Sequence, residues 1–267
     1  MNAITAMPTS TREIQAGAQP GPRLRAYLFE ARAEVLKVWR QPAFLYPTLA
    51  FPSLFYLLFG VLMARGANSG ETARYMLATY AVFGAMGPAL FGFGVGIAEE
   101  RSNGLLDLKR VLPLPPMSYL FAKAAMAMVF AVVVGLLLLV LATTLGGVRL
   151  SVFSIAAYFL VLGLGALPFA ALGLTIGCLL RAQAAVAVVQ LVYLPLAFLG
   201  GLVLPIFIMP KLMQTLALFL PSFHFGQLNL WAVGSVKAFP SSSLLALCAF
   251  ALVFLGLAGR AYKRTEN

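Results

Sequence analysis

Charged side chains concentrate in one internal run of the sequence, residues 99–123, and their pattern is typical of recognition rather than of bond-breaking chemistry. Leucines recur there at helical spacing while the neighbouring charges lie off that face: Leu105, Leu108 and Leu112 against Asp107, Lys109 and Arg110. Asn103 is a residue type that caps the start of a helix, and Pro113 ends it. Such a helix can seat its leucines in a partner's groove while its charges set the orientation. Charge patterning alone leaves a second interpretation open, a solvated loop whose charges only fix topology.

Catalytic and ion-coupling chemistry lacks the residues that it needs. The acidic residues are scattered over loops and termini, and the sequence holds one histidine, His224, and two cysteines, Cys178 and Cys248. The glycines of residues 92–96 lack the following Lys and Ser or Thr of a phosphate loop, so they indicate a helix packing face. No Asp, Glu or Arg falls near the middle of a long apolar stretch, which disfavours coupling to protons. We therefore expect no catalytic, cofactor-binding or metal-binding residue in this chain.

The elements that position the charged run are membrane spans, because the composition excludes a soluble domain. Of 267 residues, 61% are hydrophobic and 10% charged, whereas a soluble domain averages about 25% charged residues. Apolar stretches long enough to cross a bilayer predict six helical spans, at about residues 43–63, 75–98, 117–145, 153–180, 184–204 and 243–259. The predicted fold is an all-α integral membrane protein whose transmembrane domain covers residues 23–263.

Four further segments complete the predicted organisation. Residues 1–22 have a polar, Gly- and Pro-containing composition typical of a disordered tail. Residues 23–40 carry an apolar stripe flanked by basic residues, which indicates a helix lying in the membrane interface. Residues 99–116 form the polar loop between the second and third spans. Residues 205–240 are interrupted by four prolines, so we expect an outer re-entrant segment with a short helix at 212–220.

Lysine and arginine are distributed unequally between the two sides of the predicted spans. Fourteen of the 19 lie on one side and five on the other: Arg65, Arg74, Arg149, Lys211 and Lys237. Positive charge accumulates on the cytoplasmic side of membrane proteins, so both termini and the polar loop are predicted to be cytoplasmic. The net charge of +11 then reflects topology and contact with membrane lipid rather than binding of nucleic acid.

Several polar groups fall within the predicted spans, where they either line a route or join helices by hydrogen bonds: Gln190, Tyr193, Thr79, Thr143, Thr144 and Thr175. Bonding between helices is the commoner use. Lys123, near the inner end of the third span, is expected to extend its amine to the interface. If a substrate is moved, the Gly- and Pro-rich first, second and fifth spans are expected to form its route.

Two separated motifs resemble those of the type-2 ATP-binding-cassette exporter permeases. The first runs acidic-Arg-x-x-Gly-x-x-acidic and is followed by a proline and a later lysine: Glu100, Arg101, Gly104, Asp107, Pro113 and Lys123. The second follows the fifth span and combines glycines, prolines, a glutamine and the histidine: Gly200, Gly201, Pro205, Pro210, Gln214, Pro221 and His224. With the six-span layout and the helix at 23–40, the likeness covers about residues 23–263.

The resemblance implies that the first motif belongs to a cytoplasmic coupling helix, which touches a separate nucleotide-binding ATPase subunit. The candidate contact residues are Glu99, Glu100, Arg101, Gly104, Leu105, Asp107, Leu108, Lys109, Arg110, Leu112 and Pro113. It also implies that the second motif forms an outer gate. ATP and Mg would bind to the ATPase partner and no cofactor to this chain. A second permease copy, giving a homodimer, would complete an exporter of the inner membrane.

The substrate class that the resemblance implies is an amphiphile, namely a drug, a lipid or a lipid-linked glycan. Two other function classes remain open, an ion-coupled carrier or channel without an ATPase partner and a non-transporting membrane scaffold. Gradient-driven transport in liposomes without ATP would identify the carrier or channel. Tolerance of polar-to-leucine replacement at the dimer interface would identify the scaffold. Neither alternative explains why the inner loop is so compact and so sharply ended.

Overall fold

Ten α-helices make up most of the chain that the structure describes, a computed structural model covering residues 23–64, 69–105 and 116–266. Their bounds are α1 Arg23–Trp39, α2 Pro42–Phe55, α3 Ser69–Ser102, α4 Pro116–Thr144, α5 Val152–Gly165, α6 Leu167–Leu179, α7 Ala182–Leu199, α8 Lys211–Ala217, α9 Pro221–Ala232 and α10 Ser241–Glu266. No β-strand occurs in these described ranges. The predicted tail and several predicted coupling residues lie outside them: Asp107, Leu108, Lys109, Arg110, Leu112 and Pro113.

Six helical stretches are long and apolar enough to cross a membrane, which confirms the predicted all-α, six-span fold. They are Pro42–Leu62, Ser69–Ser102, Ser118–Thr144, Val152–Leu179, Ala182–Leu199 and Ser241–Ala261. The segment before the first span is the helix α1, as the sequence predicts. Its location in a membrane interface stays a prediction.

The central helix of the bundle is α3, which is packed against α4, α6 and α7. Its 34 residues correspond to about 51 Å at 1.5 Å per residue, which exceeds the roughly 30 Å of a hydrocarbon core. Every residue from Met76 to Leu90 is buried. Its closest neighbour is α6, where a Cβ added to Gly177 would lie 2.7 Å from the carbonyl oxygen of Gly94. Glycine therefore permits an approach of two backbones that no other residue allows.

Two of the spans are irregular, and proline lies near each irregularity. The first span contains Pro47 and Pro52 within α2 and continues from Tyr56 to Leu62 as a π-helix. The fourth span, predicted as one helix over 153–180, is divided into α5 and α6 around Ala166. Pro168 lies in the first turn of α6, where a missing N–H leaves no hydrogen bond unmade.

The chain between α7 and α10 forms short helical pieces. A 3-10 turn, Ile206–Ile208, and α8 precede α9, so the short helix expected near 212–220 is present as α8. The 12 residues of α9 extend about 18 Å, which is too short to cross a bilayer. α9 is buried against α3, α5 and α10. The position of this segment relative to a membrane stays a prediction.

Candidate coupling site and transport cavity

The last turn of α3 carries two predicted coupling residues, Glu100 and Arg101, at the end of the bundle where α2 and α4 begin. We term this the Glu100 end. Glu100 is only 4% exposed because donors surround its carboxylate. Lys37 of α1 donates to it, as do Lys123 of α4 at 3.1 Å and the Tyr119 hydroxyl at 2.5 Å.

Lys123 completes a buried ionic cluster. Its side chain is 1% exposed, and its Nζ lies 3.3 Å from a carboxylate oxygen of Glu34 on α1 and 5.1 Å from the centre of the Tyr119 ring. Two lysines and two glutamates thus join α1, α3 and α4: Lys37, Lys123, Glu34 and Glu100. The predicted extension of Lys123 to the interface is wrong, because two carboxylates inside the protein compensate for the water that the ammonium loses.

Arg101 points to a different neighbour, the end of α6. Its guanidinium donates to the carbonyl oxygens of Cys178 and of Leu180, the latter at 2.6 Å. The last carbonyls of a helix have no intrahelical partner and carry the negative end of the helix dipole, so a planar cation caps them well. Leu180 and Arg181 connect α6 to α7. Arg101 therefore joins α3 to the junction of α6 and α7.

The other predicted coupling residues that the structure describes are exposed. Glu99 is exposed, and the side chain of Leu105 is 42% exposed. Gly104 adopts a φ of +70°, the left-handed conformation that glycine supplies at a helix end. The predicted coupling segment thus begins with an acid and an apolar side chain that can contact another protein.

An apolar cavity of about 500 Å³ lies between α2, α3 and α7, and none of the residues lining it in the described chain is charged. Seven of them are aromatic: Phe44, Phe51, Phe55, Phe83, Phe91, Tyr193 and Phe198. These helices are the first, second and fifth spans, which the sequence indicates for a route. That a substrate occupies this cavity stays a prediction.

Three polar side chains line the apolar cavity, and they differ in how they are satisfied. Thr48 donates to the carbonyl of Phe44 at 2.7 Å, and Tyr193 donates to the carbonyl of Phe83 at 3.0 Å. The Gln190 amide has no hydrogen-bond partner among the described residues. The expected bonding between helices therefore holds for Tyr193, whereas Gln190 is available to another molecule.

The threonines for which bonding between helices was expected differ in the same way. Thr175 donates to the carbonyl of Phe254 on α10 at 3.4 Å. The prediction is wrong for Thr79, Thr143 and Thr144, whose hydroxyls donate to carbonyls of their own helices.

A second cavity, of about 470 Å³, adjoins the first at the Glu100 end. The two cavities share Ala43, Phe44 and Phe91. Charged residues line the second one: Glu34, Lys37, Arg40, Glu99 and Lys123. An aromatic compartment and a charged compartment thus meet at one wall, and the ionic cluster forms part of the charged one.

The predicted outer-gate residues lie together between α7 and α10. Gly200 and Gly201 follow α7, and Gly201 has a φ of +73°. The three prolines stand at the starts of short helical elements: Pro205, Pro210 and Pro221. Gln214 donates to the Met209 carbonyl at 2.8 Å. These contacts brace the segment internally, and its gating role stays a prediction.

His224, the last of these residues, connects two elements. One ring nitrogen lies 2.9 Å from the carbonyl oxygen of Leu218, after α8. The other lies 3.2 Å from the hydroxyl of Ser243 in α10. Because a carbonyl only accepts, Nε2 carries the proton in this arrangement and the serine hydroxyl can donate to Nδ1. His224 thus ties the segment to the sixth span.

Sequence reasoning missed the partners of the first motif. Glu34 and Lys37 lie on a helix that the sequence assigns to the interface, and Tyr119 has no predicted role. The signal that points to them is Lys123, because a base at the end of a long apolar stretch requires an acid nearby. Two acids close to neighbouring helix ends, Glu34 and Glu100, meet that requirement.

Six membrane-length helices define a multi-pass membrane protein, and an apolar cavity lies between three of them. Residues 27–233 match the family model described as ABC-2 type transporter, and the chain belongs to this family. It is similar to YvfS of Bacillus subtilis (strain 168), a transport permease by name, with 29% identity over 235 residues that cover 88% of this chain and 96% of YvfS. It is also similar to the inner membrane transport permease YhhJ of Escherichia coli (strain K12), with 31% identity over 134 residues, 49% of this chain and 36% of YhhJ. Permeases of this family generally work with ATPase subunits.

Proposed function

We propose that the chain is the membrane-spanning subunit of an ATP-driven exporter that moves an amphiphilic substrate outward across the inner membrane. The observation that carries this proposal is the continuity of α3. One uninterrupted helix brings Phe83, Gly84 and Phe91 into the apolar cavity and ends at the predicted coupling segment. Packed helices shift as rigid pieces, so a displacement imposed at the Glu100 end reaches the cavity wall through a single element.

The paired cavities support an amphiphile as the substrate. The aromatic compartment suits an apolar or planar body, and the charged compartment next to it suits a polar head group. A drug, a lipid and a lipid-linked glycan all combine these two parts. In this proposal the amide of Gln190 adds a directional contact to the body of the substrate.

The energy source in this proposal is a separate ATPase subunit, which binds ATP and Mg while this chain binds no cofactor. The Glu100 end and both termini face the cytoplasm, in keeping with the distribution of Lys and Arg. The exposed Glu99 and Leu105 then begin the docking surface for the ATPase. ATP binding draws two ATPase subunits together, and the motion shifts the cavity from inward to outward access.

A second copy of the chain completes the proposed exporter. In the most apolar stretches of the first and fifth spans, only 17% and 22% of residues are buried within one chain. In the second span this share is 78%. The first and fifth spans therefore have apolar surface left for a partner or for lipid, and both of them line the apolar cavity. A homodimer would place two such cavities near its axis.

The test is reconstitution of the chain with the ATPase that co-purifies with it from native membranes. Inside-out proteoliposomes, whose cytoplasmic face is exposed to the buffer, receive either external ATP and Mg or an imposed proton gradient, and uptake of a fluorescent amphiphile is measured. We expect uptake with ATP and none with the gradient alone. Gradient-driven uptake without ATP would instead identify an ion-coupled carrier or channel. Absence of both, with a stable complex, would identify a scaffold.

A further inference from the structure

Glu100 and Arg101 are consecutive residues of opposite charge, and both are engaged inside the chain. The buried Glu100 carboxylate binds Lys37 and Lys123, while Arg101 holds the end of α6. The neighbouring residues Glu99 and Ser102 are exposed. A protein that docks at this end therefore meets the neighbours of Glu100 and not its carboxylate.

We propose that Glu100 and Arg101 are internal positioning residues and not contacts for the ATPase. They transmit the motion of the coupling segment to other helices by two routes, which we call branches. The Arg101 branch leads to α7, and the Glu100 branch leads to α1 and α4. This inference rests on the proposed function, because it concerns how ATPase motion reaches the cavity. The family resemblance groups both residues with the ATPase contact. The structure assigns them instead to the connections between α3 and the other helices.

The branch through Arg101 leads to α7. Arg101 holds the carbonyl of Leu180, and one further residue, Arg181, separates Leu180 from the start of α7. The fifth span then carries Gln190 and Tyr193 to the apolar cavity. Arg101 thus fixes the starting point of a helix whose middle forms one wall of that cavity.

Close packing of α3 and α6 makes this branch stiff. Added Cβ atoms at Gly173 and Gly177 would lie 2.8 Å from the carbonyl of Leu90 and 2.7 Å from that of Gly94. Backbones in such contact cannot slide past one another without a clash. Arg101 closes the same pair of helices at their end, so α3, α6 and the start of α7 move as one piece.

The branch through Glu100 leads to α1 and α4. Its partners Lys37 and Lys123 also line the charged cavity, together with Glu34. A shift of the Glu100 carboxylate therefore rearranges the wall of this cavity at the same time as Arg101 moves α7. The two branches reach the two compartments that are proposed to hold one amphiphile.

The test compares Arg101→Gln and Arg101→Lys with the wild-type chain in the reconstituted exporter. Three quantities are measured: the affinity for the ATPase subunit, the rate of ATP hydrolysis and the amount of amphiphile transported per ATP hydrolysed. We expect Arg101→Gln to bind the ATPase within about twofold of wild type and to transport about tenfold less per ATP. Arg101→Lys should be intermediate, because lysine keeps the charge but lacks the planar fork.

Leu105→Ala is the matched control, because Leu105 is exposed at the start of the coupling segment. It should weaken ATPase binding and leave transport per ATP unchanged in the complexes that form. Glu100→Gln tests the other branch and should resemble Arg101→Gln. Unchanged transport per ATP in the Arg101 variants would overturn the inference, and a loss of ATPase affinity equal to that of Leu105→Ala would do so as well.

A distance measurement keeps the inference testable if the variants assemble poorly. Spin labels are attached at Ser102→Cys and Gln183→Cys, two exposed positions on either side of the Arg101 contact. The native cysteines of the labelled chain are replaced by alanine. Labelled chain is diluted with unlabelled chain, so that only distances within one chain are measured. In the wild-type chain, we expect the distance between the two labels to be the same in nucleotide-free and ATP-bound complexes. In Arg101→Gln, we expect a broader distribution of this distance. A wild-type distance that changes with ATP would contradict the inference.

Failure of this inference and failure of the proposed function give different results. If the wild-type chain binds no ATPase or transports nothing with ATP, the proposed function is wrong. If the wild-type chain does both and the Arg101 and Glu100 variants transport as much per ATP, only the positioning role is wrong.

Discussion

The two ends of α3 are fastened by different chemistry. At the Glu100 end, charged side chains join α3 to α1, α4 and α6. Towards the opposite end, the side chains that join α3 to its neighbours donate to backbone carbonyls, and Arg74, which donates to the Arg149 carbonyl at 3.3 Å, is the charged one among them. Tyr80 donates to Val203 at 3.0 Å, and Asn229 of α9 donates to Ala78 at 2.8 Å. The described residues form no ion pair at that opposite end.

Ion pairs and hydrogen bonds to carbonyls tolerate displacement of the joined helices to different extents. Attraction between charges falls off slowly with distance in a low-dielectric interior, so a cluster with two acids and two bases stays bound while its members shift. A hydrogen bond to a carbonyl weakens steeply when its distance or angle changes. The ionic cluster therefore tolerates small displacements of α1 and α4 against α3, whereas the hydrogen bonds at the opposite end fix the register of α3 against residues 200–232.

Replacing Lys123, the lysine shared by both carboxylates of the ionic cluster, should lower the stability more than any of the changes below. Lys123→Met leaves Glu34 and Glu100 facing each other without their shared lysine, and unfolding in mixed micelles should show a loss of about 3–5 kcal/mol. Lys123→Arg keeps the charge and should lose much less. Lys37→Met is the matched control, because its side chain is 41% exposed and water can replace it; its effect should stay within about 1 kcal/mol. Equal losses for Lys123→Met and Lys37→Met would show that burial does not set the strength of the cluster.

Forcing α3 and α6 apart should lower the free energy of unfolding less than Lys123→Met does. Gly177→Ala places a methyl group against the Gly94 carbonyl, and overpacking of this kind destabilises by about 1–3 kcal/mol. Gly163→Ala in the same span meets no atom within 4 Å and should keep the free energy of unfolding or raise it slightly, because alanine favours the helix. Both variants are compared in the same micelle titration. A neutral Gly177→Ala would mean that the two helices separate freely.

Removing the hydrogen bond from Asn229 to the Ala78 carbonyl should lower the free energy of unfolding less than the two changes above. Asn229→Ala removes the donor to Ala78 at a fully buried position and should lower the free energy of unfolding by about 1 kcal/mol. Gln227→Ala, on the same helix and only half-buried, serves as the control and should be close to neutral. If Asn229→Ala lost as much as Lys123→Met, the contrast between the two ends would disappear.

Replacing Gln190, which lines the apolar cavity between the two ends of the bundle, should have the smallest effect on stability and a clear effect on transport. Gln190→Leu removes an amide that binds no described residue, so the free energy of unfolding should change by less than about 0.5 kcal/mol. If the amide contacts the substrate, the apparent affinity for the amphiphile should fall about 2- to 10-fold. Transport assays at several substrate concentrations measure this change. Unaltered affinity for every amphiphile tested would remove Gln190 from the proposed binding site.

Hydropathy was sufficient to predict the spans, because every apolar stretch long enough to cross a bilayer became a helix. The first span at 43–63 and the fifth at 184–204 correspond to Pro42–Leu62 and Ala182–Leu199. The division of the fourth span at Ala166 was not predicted. Proline at residue 168 is compatible both with a kink inside one helix and with the first turn of a new one, and only tertiary packing decides between them.

The ionic cluster depends on packing that no local pattern contains. Glu34 and Glu100 are 66 residues apart in the sequence, and the face that α1 turns towards α4 is not fixed by its own spacing. The place of the apolar cavity was easier to anticipate, since the three spans that line it are those in which glycine and proline are frequent. Which polar group in the cavity would lack a partner, Gln190 or Tyr193, required the positions of the neighbouring carbonyls.

The division of the fourth span at Ala166 has a mechanical consequence. The helix before the joint, α5, is packed on α4 and α9, whereas the one after it, α6, is packed on α3 and α10. Proline at residue 168 contributes no N–H across the joint, so bending there disrupts fewer backbone hydrogen bonds than bending an intact helix would. The fourth span therefore contains a joint, at which α6 can tilt with α3 without disturbing the packing of α5 on α4 and α9.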